Sequence, residues 1–381
     1  MFSLKSEKKW IVSALLTIIA LFAAVNIYSV IKYNNYFLLG SLEKADNDDV
    51  KYIRSAWTLL EKGILTYHDT NNPTVYIMPG HPLILTVLTG IFGKTGGITA
   101  FRLFQIVLQA LSLGLVFLIG RTIFNSLAGI TASFLDAIYW PEYFAAGTIL
   151  TEVEFKFLLL LLVYISVFAV RSKKKTYYIA GGLVLGITCL IRPTIAIFPA
   201  IILTVWLFFR YTPREIIKFS IPAALAFIIV MSPWWVRNYM VFDRFIPLTL
   251  SSGNPFLQGT YINYDQSVDP VPYTPDKDVI KTNEIEMETG KYRLKTHFKK
   301  EPLKYVYWYT IGKSRYFWKD PFYWRTVFGI SPEMSYFYHY FILITGLFGA
   351  ILSIVRKNIF SLIIIITIIY FNIAHLPFFT F

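Results

Sequence analysis

One cysteine in 381 residues leaves no partner for an intramolecular disulfide. Cys189 lies inside an apolar run and says nothing more about compartment. Charge is scarce as well. Asp, Glu, Lys and Arg make up 15% of the chain, against roughly 25% in a soluble domain, which excludes an ordinary water-soluble globule. The chain shows no internal repeat, no low-complexity tract and no metal motif with ligand spacing. What is present is apolar: 55% hydrophobic residues, 18% aromatic. Runs of about 18 or more apolar residues recur along the whole length, the pattern of an all-α polytopic membrane protein. The formal charge of +13 does not point to nucleic acid. Its Lys and Arg fall in short clusters between apolar runs, as in cytoplasmic loops and lipid-headgroup contacts.

The N-terminus places Lys5, Lys8 and Lys9 before "WIVSALLTIIALFAAVNIYSVI". That run is longer than a signal-peptide core and no small-residue cleavage site follows, so it reads as an uncleaved first span with its N-terminus inside. Further spans are expected at 101–119, 122–140, 153–170, 177–191, 193–209, 219–236, 336–355 and 359–379. The basic linkers "RSKKKTYY" (171–178) and "RYTPREIIK" (210–218), with Arg356 and Lys357, set the cytoplasmic side. The opposite side then holds a first external loop with interfacial helices (32–80), the Glu142–Glu152 region, the Arg192 turn and a long external loop or small cap (237–335). The run "PGHPLILTVLTGIFG" (79–93) is too short to cross and is expected to be re-entrant or interfacial. The alternative is that it crosses and a short helix near 143–151 restores the parity, so the count is about nine to eleven spans.

Charged groups outside the basic linkers collect at the external side. Asp46, Asp48, Asp49 and Arg54 lie in the first loop, and His81 and Arg102 flank the short apolar run. Glu142, Glu152 and Glu154 surround the start of a span, Arg192 precedes Pro193, and Arg237 and Asn238 follow "SPWW". Charges near or within spans cost at least about 2.5 kcal/mol each at the centre and tend to have a role. Carboxylates and guanidinium groups gathered at one face suggest acid–base chemistry beside an anion site. Each residue also has a plainer explanation. An aspartate cluster is usually a solvated loop, or Asp46 caps a helix starting near Asn47 with Asp48 and Asp49 in its first turn. Arg192 and Arg237 at span ends are often headgroup anchors, His81 between prolines is often structural, and Glu152 pairs with a nearby base.

The order of these pieces resembles a known superfamily. "DDVKYIRSAWTLLEKGILTY", "MPGHPLILTVLTGIFG", "RLFQIVLQALSLGLVFLIGRTIFNSLAGITASFLDAIYWP", "TILTEVEF", "GGLVLGITCLIRPT" and "PWWVRNYMVFDRFIPLTLSSGNPFLQG" follow one another through most of the chain. They resemble the polytopic glycosyltransferases that use polyprenyl-phosphate sugar donors: the dolichyl-phosphate-mannose protein mannosyltransferases and aminoarabinose transferases, of GT-C fold. The resemblance implies one GT-C transmembrane unit over 1–381 and a catalytic acid in the first external loop, carried over to Asp48 with Asp49 as its neighbour. A carboxylate can take the proton of an attacking hydroxyl, and arginine suits the charge developing on a leaving phosphate. Arg192 and Arg237 are the first candidates for that phosphate, with Arg102 and His81 behind them, and Glu152 and Asn238 are candidates to orient substrate. No cofactor is implied; a divalent ion on Asp48 and Asp49 is the lesser possibility.

The expected reaction moves a sugar from a polyprenyl-phosphate donor to a hydroxyl acceptor of the cell envelope, a glycan, lipid or protein, at the outer face of the cell membrane. Expected partners are that lipid-linked sugar, the acceptor and membrane lipids. Two departures matter. The aminoarabinose branch has Lys-Pro-Pro where this chain has Met78-Pro79-Gly80, which removes that branch's lysine and weakens lipid A as acceptor. The chain also stops at "NIAHLPFFTF" within a span-like run, as a natural short form or a truncated gene would. The rivals are a transporter or lipid-linked-glycan flippase, which predicts midplane charges and an internal repeat, and a non-catalytic GT-C-like membrane protein, which the abrupt C-terminus keeps open.

Overall fold

The computed structural model describes residues 7–276 and 278–379, so Lys5 of the basic N-terminal cluster lies outside them. Its helices are α1 (Lys9–Tyr33), α2 (Asp48–Lys62), α3 (Gly80–Ile123), α4 (Ser126–Ala137), α5 (Trp140–Gly147), α6 (Glu152–Ser172), α7 (Lys175–Ile191) and α8 (Phe198–Phe208). They continue with α9 (Pro213–Phe242), α10 (Gly253–Gly259), α11 (Val279–Lys300), α12 (Pro302–Tyr307), α13 (Lys313–Lys319), α14 (Pro332–Val355) and α15 (Leu362–His375). No strand is found among the described residues. The all-α polytopic expectation therefore holds. Five helices, α1, α3, α6, α9 and α14, are long and apolar enough to cross a membrane, and α7, α15 and the segment Pro193–Phe208 are shorter apolar helices.

Side-chain contacts fix how these legs run. At one end of the bundle Arg121 pairs with Glu7 at 2.6 Å, Lys173 pairs with Glu215 at 2.7 Å, and Asn358 donates to the Ile123 carbonyl at 2.8 Å. At the other end His81 meets Glu154, and the Tyr370 hydroxyl reaches the Thr194 carbonyl. Legs pass between the two ends as α1, α3, α4 with α5, α6, α7, α8, α9, α14 and α15. The short α4 and α5 form one broken crossing along α3: Ser133 bonds the Leu113 carbonyl, Gln109 meets Glu142, and Arg102 meets Gly147. The lone helix near 143–151 of the alternative topology is thus the upper half of this leg.

The run 79–93 does not cross. In a straight helix residues 81 and 101 would lie about 30 Å apart at 1.5 Å per residue. Here the His81 and Phe101 rings are 5.0 Å apart, and Leu85 packs with Ile98. The chain folds back at Gly93, whose φ of 75° lies in the left-handed region open to glycine. The outward face of this hairpin shows Leu83, Val87, Ile91 and Phe92, as suits an interfacial element.

Helix α2 lies against the hairpin. Its apolar positions Val50, Ile53 and Ala56 are wholly buried, and Ile53 and Ala56 pack with Leu85, Ile98 and Phe101. Asp48 and Asp49 occupy the first turn and Lys62 the last, matching the helix dipole. Gly63 ends the helix at φ 69° with its N–H on the Leu59 carbonyl. The N-cap residue is Asn47 rather than Asp46. Asp46 instead accepts from the Ser41 amide at 2.8 Å and closes the preceding loop.

Helix α9 begins with a capping box between Thr212 and Glu215 and has Pro213 at its first position. Its 30 residues span about 45 Å, longer than the hydrocarbon core. Where it emerges, the Trp234 and Trp235 indoles bond the carbonyls of Leu248 and Pro247, turning the following loop back onto the helix. Residues 253–319 then form a helical cap, α10 to α13.

Candidate active site

The two adjacent aspartates at the start of α2 differ in surroundings. Asp49 is fully buried. Its carboxylate accepts the amides of Leu39 (2.6 Å), Val50 (2.8 Å) and Gly40 (3.3 Å), tying the loop to the helix. Burial pushes this carboxyl above the ordinary range, and the three amides offset that only partly. The side chain of Asp48 is 63% exposed, with Lys51 at 3.6 Å. It faces tyrosines. Burial raises the pKa of Tyr52, Tyr67 and Tyr76, and the charge of Asp48 raises all three further. These phenols therefore stay protonated and present O–H donors around the Asp48 carboxylate. The Tyr67 and Tyr76 rings stack at 5.5 Å, and Tyr52 leans on Tyr67 at 5.4 Å.

Below Tyr52 lies a buried ionisable pair. His81 Nδ1 is 2.9 Å from Glu154 Oε1, with both side chains essentially inaccessible. The imidazole is held edge-on by Tyr52 at 4.6 Å and Phe101 at 5.0 Å. Beside it Arg192 donates to Glu152 and, through Nε, to the Thr151 hydroxyl at 2.6 Å. The Arg192 side chain remains 40% exposed. Successive helix positions differ by about 100°, so Glu152 and Glu154 point to different faces of α6; one meets Arg192 at the surface and the other His81 inside.

The remaining candidates lie apart from this opening. Arg102 is completely buried, donating to the Gly147 carbonyl at 2.7 Å and to Asn34 at 3.1 Å. Arg237 donates to the Thr74 carbonyl at 2.8 Å and lies over the Trp234 and Phe242 rings. Asn238 holds the Ile246 carbonyl at 3.0 Å. Asp48, Glu152, Arg192 and His81 thus come together, while Arg102, Arg237 and Asn238 brace the loops around them. The loop that leads from α9 into the cap is tied to this end: Leu250 N–H bonds the Val75 carbonyl at 2.9 Å.

Several residues were not singled out from sequence. Tyr67 carries no local signal, since tyrosine is abundant throughout, and Tyr52 stands out only as the tyrosine that follows the acidic pair in "DDVKY". In the sequence Glu154 is only one of a cluster of acids, and its pairing with His81 spans 73 positions. A third group was missed altogether: Lys156 on α6 contacts Asp136 at 2.8 Å and Glu142 at 2.9 Å, joining α4, α5 and α6. A lysine within an apolar run was the available signal. For a divalent ion, Asp49 offers little, because its oxygens already accept three amides. No cluster of three or more His, Cys, Asp or Glu suited to a metal occurs among the described residues.

Residues 72–236 match the family model of the dolichyl-phosphate-mannose-protein mannosyltransferases. That match takes in His81, Glu152, Glu154 and Arg192, leaves out Asp48 and ends one residue before Arg237. No curated protein matches the chain. Among solved structures it is similar to the oligosaccharyltransferase of Archaeoglobus fulgidus in its apo form, at 15% identity and TM-score 0.49 over 95% of this chain and 40% of the other. The same organism's AglB, in complex with an inhibitory peptide and a dolichol-phosphate, gives 14% identity and TM-score 0.45, covering 94% of this chain and 39% of that one. ArnT from Cupriavidus metallidurans in the apo state gives 13% identity and TM-score 0.45 over 94% of this chain and 76% of its own. The chain therefore spans about 40% of the length of the archaeal enzyme.

Proposed function

We propose that the chain is a membrane glycosyltransferase of GT-C type, transferring a sugar from a polyprenyl-phosphate donor to a hydroxyl acceptor at the outer face of the membrane. The family match over residues 72–236 supports the class. The observation that carries the mechanism is the division of labour between neighbouring aspartates: Asp49 is consumed by backbone amides, and Asp48 is left exposed among phenols.

In this mechanism the acceptor O–H gives its proton to the Asp48 carboxylate as its oxygen bonds the anomeric carbon. The bond between that carbon and the phosphate oxygen breaks, and the polyprenyl phosphate leaves with the electron pair. Arg192, exposed and oriented by Glu152 and Thr151, meets the charge developing on the phosphate. The O–H groups of Tyr52 and Tyr67 hold donor or acceptor oxygens. Asp49 and Arg102 act as positioning residues that fix the helix start and the loop.

The test is transfer from a radiolabelled polyprenyl-phosphate sugar by purified protein, with and without chelator. Asp48→Asn should keep the fold and donor binding and lose about 100-fold or more in turnover, with chelator having no effect on the parent. A fully active Asp48→Asn protein would remove the base from this mechanism.

A further inference from the structure

A cavity lies at the basic end, remote from Asp48 and Glu152, between α6, α7, α8 and α9. We propose that it binds one acyl chain of an anionic phospholipid, whose headgroup rests on the neighbouring lysines.

The cavity follows from how these helices pack. Helices α7 and α9 are drawn into contact where Gly182 lies on the Ala223 backbone and Gly186 on the Val230 side chain. Helix α8 has only 11 residues and follows a 3-10 turn at Pro193–Ile197, so it does not fill the space opposite. The cavity holds about 270 Å³ and is open on one side. Its wall runs from Leu162 to Val170 along α6, a depth of about 12 Å. Leu185, Ile202 and Phe227 line it with other apolar groups, and Ser166, one of its few polar side chains, already bonds the Leu162 carbonyl at 2.7 Å. Protein interiors are close-packed, and an apolar space of this kind does not hold ordered water. In a bilayer a hydrocarbon chain is the available filler, and exposed Leu203 marks a side open to it.

Charge selects the lipid. At the basic end the cavity reaches the half-buried Tyr177 and Ser220. Within three positions of them stand exposed Lys174, Lys175 and Lys218, none of which forms an ion pair among the described residues. The nearby acid, Glu215, is already paired with Lys173. Three uncompensated ammonium groups at the mouth of a hydrocarbon slot fit a phosphate headgroup carrying net negative charge.

The full chain, purified and delipidated in neutral detergent, is incubated with phosphatidylglycerol, phosphatidylcholine or undecaprenyl phosphate, and retained lipid is read by native mass spectrometry. One phosphatidylglycerol per chain is expected, at least 10-fold above phosphatidylcholine. Gly181→Leu projects into the cavity, since a Cβ there meets only Ile165 at 3.8 Å, and it should abolish retention. The triple variant Lys174→Gln, Lys175→Gln, Lys218→Gln should erase the preference between lipids; being exposed, it also serves should Gly181→Leu fail to fold. Equal retention of the two phospholipids by the parent, a preference for undecaprenyl phosphate, or retention unchanged in the triple variant would each overturn the proposal.

Discussion

At one end of the bundle Lys174, Lys175, Arg210, Arg214 and Lys357 are exposed and rarely paired. At the other, His81, Arg102, Glu154 and Asp49 are buried, and each has a named partner. Charge is thus used in two ways. An unpaired excess of one sign at a helix end reports orientation and lipid contact, because water and headgroups solvate it at little cost. Pairs buried beside a partly open cleft cost desolvation; they are kept where a geometry has to be held. The difference predicts where substitutions will be felt, and by how much.

The largest stability effect should come from splitting the His81–Glu154 pair. His81→Leu leaves a carboxylate buried without its partner and should cost about 3–5 kcal/mol. The double variant with Glu154→Leu should recover much of that loss, since it removes both polar groups. Thermal unfolding in detergent reads both. Equal stability of His81→Leu and the parent would mean that this interior is wet and that the two ends do not differ in the way described.

Next comes Arg192, on the open side of the same end. Arg192→Ala should lower turnover by about 100-fold, near 2.7 kcal/mol, the scale for losing one preorganised donor to a developing anion. Arg192→Lys should restore only part of it, because the planar fork is lost. Unchanged donor affinity and turnover in both would return Arg192 to the role of a surface anchor paired with Glu152.

Asp49 should show a smaller, pH-dependent effect. Asp49→Asn puts an amide against backbone N–H groups and should cost about 1–3 kcal/mol at neutral pH. The folded carboxyl is raised above its ordinary 3.8. The folded state therefore holds this proton more tightly than the unfolded one. The part of its contribution that is linked to this proton is fully present below that ordinary value and is lost as pH rises through the raised one, while the hydrogen bonds from the Leu39, Gly40 and Val50 amides remain at neutral pH. The variant should flatten stability against pH across that window, and turnover should fall far less than in Asp48→Asn. A turnover loss equal to that of Asp48→Asn would make the two aspartates a functional pair.

Much of the bundle was legible beforehand because membrane crossing imposes a length of apolar chain that sequence shows directly. The shortness of the run 79–93 was legible for the same reason, whereas the turn at Gly93 that folds it back was not. The division between Asp48 and Asp49 was not, since it depends on which carboxylate the amides of Leu39 and Gly40 reach. Nor were the partners of His81 and Lys156, which lie 73 and 20 positions away and are set by helix packing. Arg102 shows the same limit. Its type suggested a phosphate ligand, yet its partners are a carbonyl and an amide oxygen inside the bundle.

The smallest expected effect belongs to the exposed basic end, and there it is orientation that is at stake. Single cysteines at Lys174, Arg214 and Lys357, made with Cys189 replaced by Ala, should change stability by no more than about 0.5 kcal/mol, as for surface sites without partners. The positive-inside bias predicts a cytoplasmic position for them and an external one for Lys300, on the cap. A membrane-impermeant thiol reagent on intact cells should therefore label a cysteine at 300 and leave the other three untouched until the membrane is opened. Labelling of position 174 in intact cells, with position 300 protected, would invert the bundle. The acids around Asp48 would then face the cytoplasm, and an outer-face transferase could not be built on them.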